Sequence, residues 1–514
     1  MRLPRLPLRV AAVPAVAALA LLAACAAVID APLAHAAPPG ASPGAWPPAW
    51  QEPPASVQDD GVPRFDVPSA SHCHRLPSTR EVPGGGQYGN SSRGRDLRSD
   101  EPARAALEDR VSRRAEAATS VAPSAMPATP AGAVAAAPAP AEKAEREAGL
   151  AAQSLPSPFA PRQRPPRHET VTAGMVDDNA DFGEYLAYRQ RSAGLPVRDR
   201  DISERYLLEV TDAAGRPVHD AEVAVQRAGR VEPVMWARTD TGGHVWLHPL
   251  AFLAPNATDR ALGVAVRKGG AWSRATLVRG ARSALQVRLG AAPMAQRPRL
   301  DLVFLVDATG SMGDEIAKLK SSMRAMSQQI SQLPGQPDIC YGLVAYRDRG
   351  DAFLTRTHDF TDELGAFQSV LARVQAGGGG DTPEALNEAL HETVHGLSWR
   401  TEAARMVVLV ADAPPHLDYG GPQYDLDMQA ALAKGIKLFA VGASGLDPVG
   451  EYIYRQMAQY TAGRFVFLTY KDAADPGSGP GTQTVHDVQN YSVQTLDRLV
   501  VKLVGDELAR LPRG

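Results

Sequence analysis

Apolar positions along the chain follow successive patterns, and each predicts a different kind of structure. Val10–Ile29 is one Ala-rich apolar run, preceded by Arg2, Arg5 and Arg9 and ended by Asp30. From Pro38 to Pro166 no helical or strand period persists long enough to bury a face. This quarter of the chain holds 22 of the 43 prolines, which predicts a disordered, extended tether. In Val176–Arg189 the residues Phe182, Tyr185 and Leu186 share one helical face, predicting a short docking helix. The period then falls to two. Tyr206–Thr211, the alternating Ala221, Val223 and Val225, Trp236–Leu247 around an Asp-Thr-Gly-Gly turn, Leu262–Arg267 and Leu285–Leu289 predict a small β-sandwich.

Beyond Pro298 the pattern changes again. Leu302–Val306, Ile339–Tyr346, Met406–Val410 and Ile436–Val441 are strand candidates rich in continuous apolar runs, which suit parallel strands buried on both faces. Phe353–His358 predicts an edge strand, and Phe465–Leu468 the strand that closes the sheet. Helical spacing fills the intervals at Ile316–Ile330, Leu364–Gln375, Pro383–Leu397, Met428–Lys434 and Glu451–Tyr460, and Val493–Leu511 predicts a final amphipathic helix. Alternating strands and helices predict an α/β fold with a doubly wound, mainly parallel sheet, whose ligand site lies beyond the carboxyl ends of its strands. The chain therefore divides into an export signal (1–36), the Pro/Ala-rich tether (37–170), a helical docking segment (171–202), the β-sandwich (203–292) and the wound domain (298–512).

Composition narrows the function. The 514 residues carry 54 Lys+Arg against 57 Asp+Glu, a net charge of −3. That balance argues against a nucleic-acid binder, which shows a basic excess. The basic n-region and apolar stretch at the N-terminus read as a secretory signal. Cleavage after Ala34-His35-Ala36 gives a soluble exported protein, whereas Leu22-Ala23-Ala24-Cys25 resembles a lipobox that places a lipid anchor on Cys25. Either way the expected location is the periplasm, cell surface or medium, with membrane attachment only through the signal or that anchor. Three cysteines cannot staple a small scaffold, so the folded parts must rest on apolar cores. Cys340 falls in a buried strand and reads as a small filler; a bond to Cys73 is the alternative in an exported chain.

Candidate chemistry gathers at the predicted strand ends. The first strand of the wound domain ends in Asp307-Ala308-Thr309-Gly310-Ser311, a later one runs into Asp412, and Gly377–Gly380 leads through Thr382 into a helix. All are oxygen donors with few carboxylates, a set suited to Mg²⁺ or Mn²⁺. In this arrangement the chain resembles von Willebrand factor type A (VWA) domains and their metal-ion-dependent adhesion site. The phrases DATGSMGDEI, YGLVAYRDRGD, GGGGDTPEALNEALH and VADAPPHLDY are similar to VWA domains of exported bacterial proteins and of the alpha-kinase branch that contains one. The resemblance spans about Gly174–Leu511. It implies that Asp307, Thr309, Ser311, Thr382 and Asp412 hold the divalent cation, and that a carboxylate from a protein partner completes its shell. It carries no kinase domain, so the expected protein is not an enzyme. The upstream strands are similar to carboxypeptidase-regulatory or transthyretin-like sandwiches, which implies a spacer or packing partner.

One competing motif stands inside the wound domain. His391-Glu392-Thr393-Val394-His395 is a literal H-E-x-x-H, the pattern of a zinc protease helix. The same stretch carries a core stripe of Leu386, Ala389, Leu390, Val394 and Leu397, and no third ligand follows at the expected spacing, so it reads as a packing helix. His416 reads as a loop residue beside Asp412. Two other functions stay open: a metal-dependent hydrolase using the cation site or the HETVH helix, and a structural envelope protein acting through its sandwich.

Overall fold

The computed structural model describes residues 73–85, 170–230, 232–254, 257–290, 297–380 and 382–511. The signal, both cleavage readings, Cys25 and most of the tether lie outside these. Within them, two short strands stand upstream of the sandwich, β1 (Thr79–Val82) and β2 (Thr172–Val176), followed by helix α1 (Phe182–Arg191). Asp181 caps α1, its carboxylate accepting from the Glu184 amide. Seven strands follow: β3 (Tyr206–Thr211), β4 (Glu222–Arg227), β5 (Pro233–Arg238), β6 (His244–Leu247), β7 (Ala261–Lys268), β8 (Ala271–Val278) and β9 (Leu285–Arg288). They form a three-stranded sheet, β6-β3-β9, and a four-stranded one, β5-β4-β7-β8. Their alternate residues, among them Leu208, Val210, Val223, Val225, Val264 and Val266, are fully buried in a common core.

The wound domain runs β10 (Arg299–Asp307), α2 (Gly313–Ser331), β11 (Asp338–Tyr346), β12 (Thr355–Thr361), α3 (Leu364–Arg373), α4 (Leu386–His391), β13 (Ala404–Ala411), α5 (Tyr424–Ala433), β14 (Ile436–Gly442), α6 (Pro448–Tyr460), β15 (Arg464–Asp472), β16 (Asp475–Pro480), β17 (Ser492–Thr495) and α7 (Leu496–Leu508). The sheet order is β1-β12-β11-β10-β13-β14-β15-β2-β17. β11, β10, β13, β14 and β15 are mutually parallel, and the outer strands are antiparallel. Every residue from Leu300 to Asp307 is buried because helices cover both faces. Val303 and Leu305 join Val407 and Leu409 on one face. Leu302, Phe304 and Val306 join Met406, Val408 and Val410 on the other, with Leu319, Met323 and Phe367 from α2 and α3.

The structure corrects several sequence expectations. β12 is not an edge: it runs to Thr361 and is covered by β1, whose Thr79 opposes His358. Cys73, just before β1, is disulfide-bonded to Cys340 of β11 with Cα atoms 6.2 Å apart, so Cys340 is not a mere filler. The span read as a tether thus contributes a strand and a crosslink. β15 does not close the sheet either, because β2 and β17 add beyond it. The docking segment is therefore a strand as well as a helix. The predicted helix Pro383–Leu397 is shorter: α4 starts at Leu386 and passes at His391 into a π-turn, Glu392–Gly396.

Buried ion pairs fix the sandwich to the amino ends of the parallel strands. Asp220 accepts from Arg405 at 2.9 and 3.1 Å and from the Glu402 amide at 2.9 Å. Lys437 donates to Asp240 at 2.9 Å and to Glu507 at 2.7 Å. Arg405 and Lys437 are the second residues of β13 and β14, so these ion pairs lie at the end of the sheet opposite its carboxyl edge.

Candidate metal centre

β10 lies between β11 and β13, and the chain leaves it first to one side and then to the other. Its carboxyl end is therefore the switch point of the sheet, where a crevice opens. Asp307 is the last residue of β10 and is fully buried. One of its oxygens, Oδ1, accepts from the Thr309 amide at 2.9 Å and the Thr309 hydroxyl at 2.6 Å. Ser311 stands 3.1 Å from that hydroxyl. The turn between them needs glycine: the Gly310 amide donates to the Gly378 carbonyl at 2.9 Å, and a Cβ on Gly310 would meet that same oxygen at 2.8 Å.

The second loop is shaped by a carboxylate. Asp351 accepts from the Gly379 amide at 2.7 Å and the Asp348 amide at 3.1 Å. Gly378 and Gly379 hold φ of +75° and +64°, and a Cβ on Gly378 would strike the Asp351 carboxylate at 2.3 Å. Asp412 leaves β13 on the third loop and is 7% exposed. Four of the five expected residues are thereby assembled on the two loops flanking the switch point. Thr382 is placed differently. It is exposed on the second loop, before the cis peptide to Pro383, and makes no direct hydrogen bond to the other four.

Glu384, two residues on, was missed by the sequence reading. It is 3% exposed, and its backbone pairs with the third loop through Pro414 and His416. Burial, with Asp307, Asp348, Asp351 and Asp412 around it, pushes its carboxyl up to about 9. Asp307 is pushed up to about 7 by burial and by the charge on Asp412. Burial also raises Asp412, partly offset by the Ser311 hydroxyl. The signal for Glu384 was its place directly after Thr382-Pro383, a loop otherwise read for hydroxyls.

Asp307 Oδ2, Asp412 Oδ1 and Glu384 Oε2 are all buried without a partner in good hydrogen-bond geometry, although the Tyr346 hydroxyl lies near enough to Asp307 to favour its charged form weakly. Three such oxygens in mutually interacting carboxylates form a site short of positive charge. Hard oxygens beside two hydroxyls are the donor set of Mg²⁺ or Mn²⁺, so these residues fit a divalent cation. Ser311 also borders a cleft of about 660 Å³ lined by Glu315, Ser444, Thr469, Tyr470 and Gly477. Glu315 accepts from the Ser444 hydroxyl at 2.6 Å and from the Tyr470 hydroxyl. His416 is held by Asp348 at 3.0 Å and Asp418 at 3.3 Å.

Residues 301–474 match the von Willebrand factor type A domain family. Among curated proteins, the alpha-protein kinase vwkA of Dictyostelium discoideum is 32% identical over 119 residues, 23% of this chain and 19% of the kinase. Human von Willebrand factor A domain-containing protein 7 is 37% identical over 93 residues, 18% of this chain and 10% of that protein. These matches span a fifth or less of the relatives they match. A solved structure of the conserved hypothetical protein BatB from Bacteroides thetaiotaomicron aligns over 41% of this chain and 98% of its own, at 14% identity and a TM-score of 0.28. The wound sheet, the switch-point loops and the family match agree: residues 301–474 carry a von Willebrand factor type A domain, of a kind that generally mediates protein–protein interaction.

Proposed function

We propose that this protein is exported and non-enzymatic, and that it binds an acidic group of a protein partner through a divalent cation, Mg²⁺ or Mn²⁺, at the carboxyl edge of its VWA domain. The observation that carries this reading is the set of three buried, unpartnered carboxylate oxygens on Asp307, Asp412 and Glu384. Asp307 and Asp412 would hold the cation with the hydroxyls of Thr309 and Ser311. Glu384 would add charge from the second loop, and Thr382 would stand at the rim. Bound there, the cation supplies an electrophilic position toward an incoming carboxylate.

The chain's own charges explain why a cation is needed. Without a cation, this group of acidic side chains offers an acidic ligand no positive charge to meet, and those that are ionised repel it. Thr309 and Ser311 add donors without adding charge, so the filled site stays attractive to an anion. The cleft beside Ser311 offers room for the residues that flank the partner's carboxylate. The Cys73–Cys340 disulfide supports export, since such bonds persist in oxidising compartments. Among the described residues no helix is long and apolar enough to cross a membrane. The reading places any membrane attachment in the N-terminal signal or a lipid on Cys25. The hydrolase reading of HETVH loses support because Glu392, its water-activating position, is buried and ion-paired with Arg80.

The test is calorimetric titration of the whole chain with Mg²⁺ and Mn²⁺, beside Asp307→Ala and Glu384→Gln. The expected result is one saturable site in the parent chain, lost in Asp307→Ala and weakened in Glu384→Gln. A folded parent chain that binds neither ion overturns the reading.

A further inference from the structure

The HETVH stretch is built unlike a protease helix, yet it gathers ligands. α4 ends at His391 and continues through the π-turn Glu392–Gly396, a distortion that often marks functional positions. The rings of His391 and His395 lie on one side with centroids 4.4 Å apart. Asp427 of α5 faces them: its Oδ1 is 3.0 Å from His391 Nδ1 and 3.1 Å from His395 Nε2. The third ligand that the local sequence lacked thus comes from a neighbouring helix, 32 residues after His395. All three ligand atoms fall within 4.8 Å of one another.

Two further features favour a ligand over a simple hydrogen-bonded trio. Asp427 is 4% exposed, and its second oxygen, Oδ2, is buried without a partner. The His391 and His395 side chains are 16% and 20% exposed, so the trio is reached from solvent. Ligand atoms about 2.0–2.1 Å from a tetrahedral ion stand roughly 3.3 Å apart. The observed nitrogen–oxygen separations are close to that without movement of either helix.

The geometry points to a second cation site, distinct from the Asp307 centre, in which His391, His395 and Asp427 take Zn²⁺ or a similar borderline transition-metal ion, with water in the remaining position. Two imidazoles and one carboxylate suit such an ion and not Mg²⁺. The site binds without the protease's chemistry. Glu392 points away into its ion pair with Arg80 of β1, and it packs so tightly on Gly396 that a Cβ there would meet its carboxyl carbon at 2.5 Å. The ion would clamp the π-turn to α5. Lys434 donates to the Val394 carbonyl at 3.0 Å, and its charge tempers the affinity.

The experiment uses the whole chain, stripped with chelator and held in excess Mg²⁺ to fill the Asp307 centre. Co²⁺ alone is titrated as a visible-absorption probe, then displaced with Zn²⁺. Variants are His395→Gln, Asp427→Asn and Asp307→Ala, each checked for folding by circular dichroism. Asp427→Asn keeps a hydrogen-bond acceptor toward both rings and serves if His395→Gln does not fold. The expected result is one equivalent of Co²⁺ with visible bands, lost to Zn²⁺, unchanged in Asp307→Ala and at least tenfold weaker in the other two variants. No bands in the parent chain, equal affinity in all variants, or loss only in Asp307→Ala overturns the assignment. Failure of the Mg²⁺ reading leaves this test intact, because its readout sits on different residues.

Discussion

Asp307 gives the sharpest test of the acidic centre, because its burial sets a pH-dependent cost that a cation should cancel. The residue is 0% exposed, and its carboxyl is pushed up to about 7 from 3.8. That rise is worth about 4 kcal/mol. The folded state keeps a proton that the unfolded chain releases. The contribution is therefore intact below about pH 4, is lost as pH rises, and is gone above about pH 7. Asp307→Asn carries no such charge. Its Oδ1 still accepts from Thr309, and its amide takes the place of the unpartnered Oδ2. In chelator, the parent chain should lose about 4 kcal/mol relative to Asp307→Asn between pH 4 and pH 8. For a domain of this size that is roughly 8–16 °C in melting temperature, read by calorimetry across the pH series. Adding Mg²⁺ at pH 8 should close the gap by raising the parent chain alone. Identical pH profiles in chelator would refute the reasoning, since Asp307 would then have a compensating partner.

Other residues make independent predictions. Glu384→Gln removes one of the interacting carboxylates, so Mg²⁺ affinity should fall about tenfold while stability in chelator at pH 8 rises, both measurable on one sample series. Asp220→Ala leaves the buried Arg405 guanidinium without its main partner and should cost about 3–5 kcal/mol, seen as a lower melting temperature with the Asp307 centre still able to bind Mg²⁺. Cys73→Ser should cost roughly 2–4 kcal/mol, and reductant should destabilise the parent chain but not this variant. Gly378→Ala forces a side chain into φ +75° and against Asp351, so it should weaken Mg²⁺ binding through the loop without touching a ligand.

The fold was legible where burial on both faces leaves an unbroken apolar run. LVFLV and MVVLV announce β10 and β13 because no position along them meets water. The outer strands carry no such mark. β1 is TREV, a polar strand at the sheet edge with no fully buried residue. β2 is TAGMV, and its Gly174 reads as a break. In the structure that glycine is required, since a Cβ there would meet the Phe467 ring at 2.3 Å. Both strands pair with segments more than 270 residues away in the chain, so no local period can reveal them. A consequence is that a fragment starting at Pro298 would lack β2, which lies between β15 and β17.

The first loop of the proposed cation site stood out in the sequence because Asp307, Thr309 and Ser311 are spaced by two on one tight turn. Its remaining chemistry depends on long-range approach. Glu384 carries no signal in the sequence until the third loop, through Pro414 and His416, folds against its backbone. Asp427 lies just before the helix expected at Met428–Lys434 and carries no signal of its own until α4 is laid beside it. In both cases an acidic side chain becomes chemically notable only through the groups that a distant segment brings near. A carboxylate beside solvent is ordinary, whereas one buried with an oxygen unpaired needs a cation or a proton. The sequence could name the residue types at these positions but not their partners. The unpaired oxygens on Asp307, Asp412, Glu384 and Asp427 are what separate the two proposed sites from ordinary carboxylates.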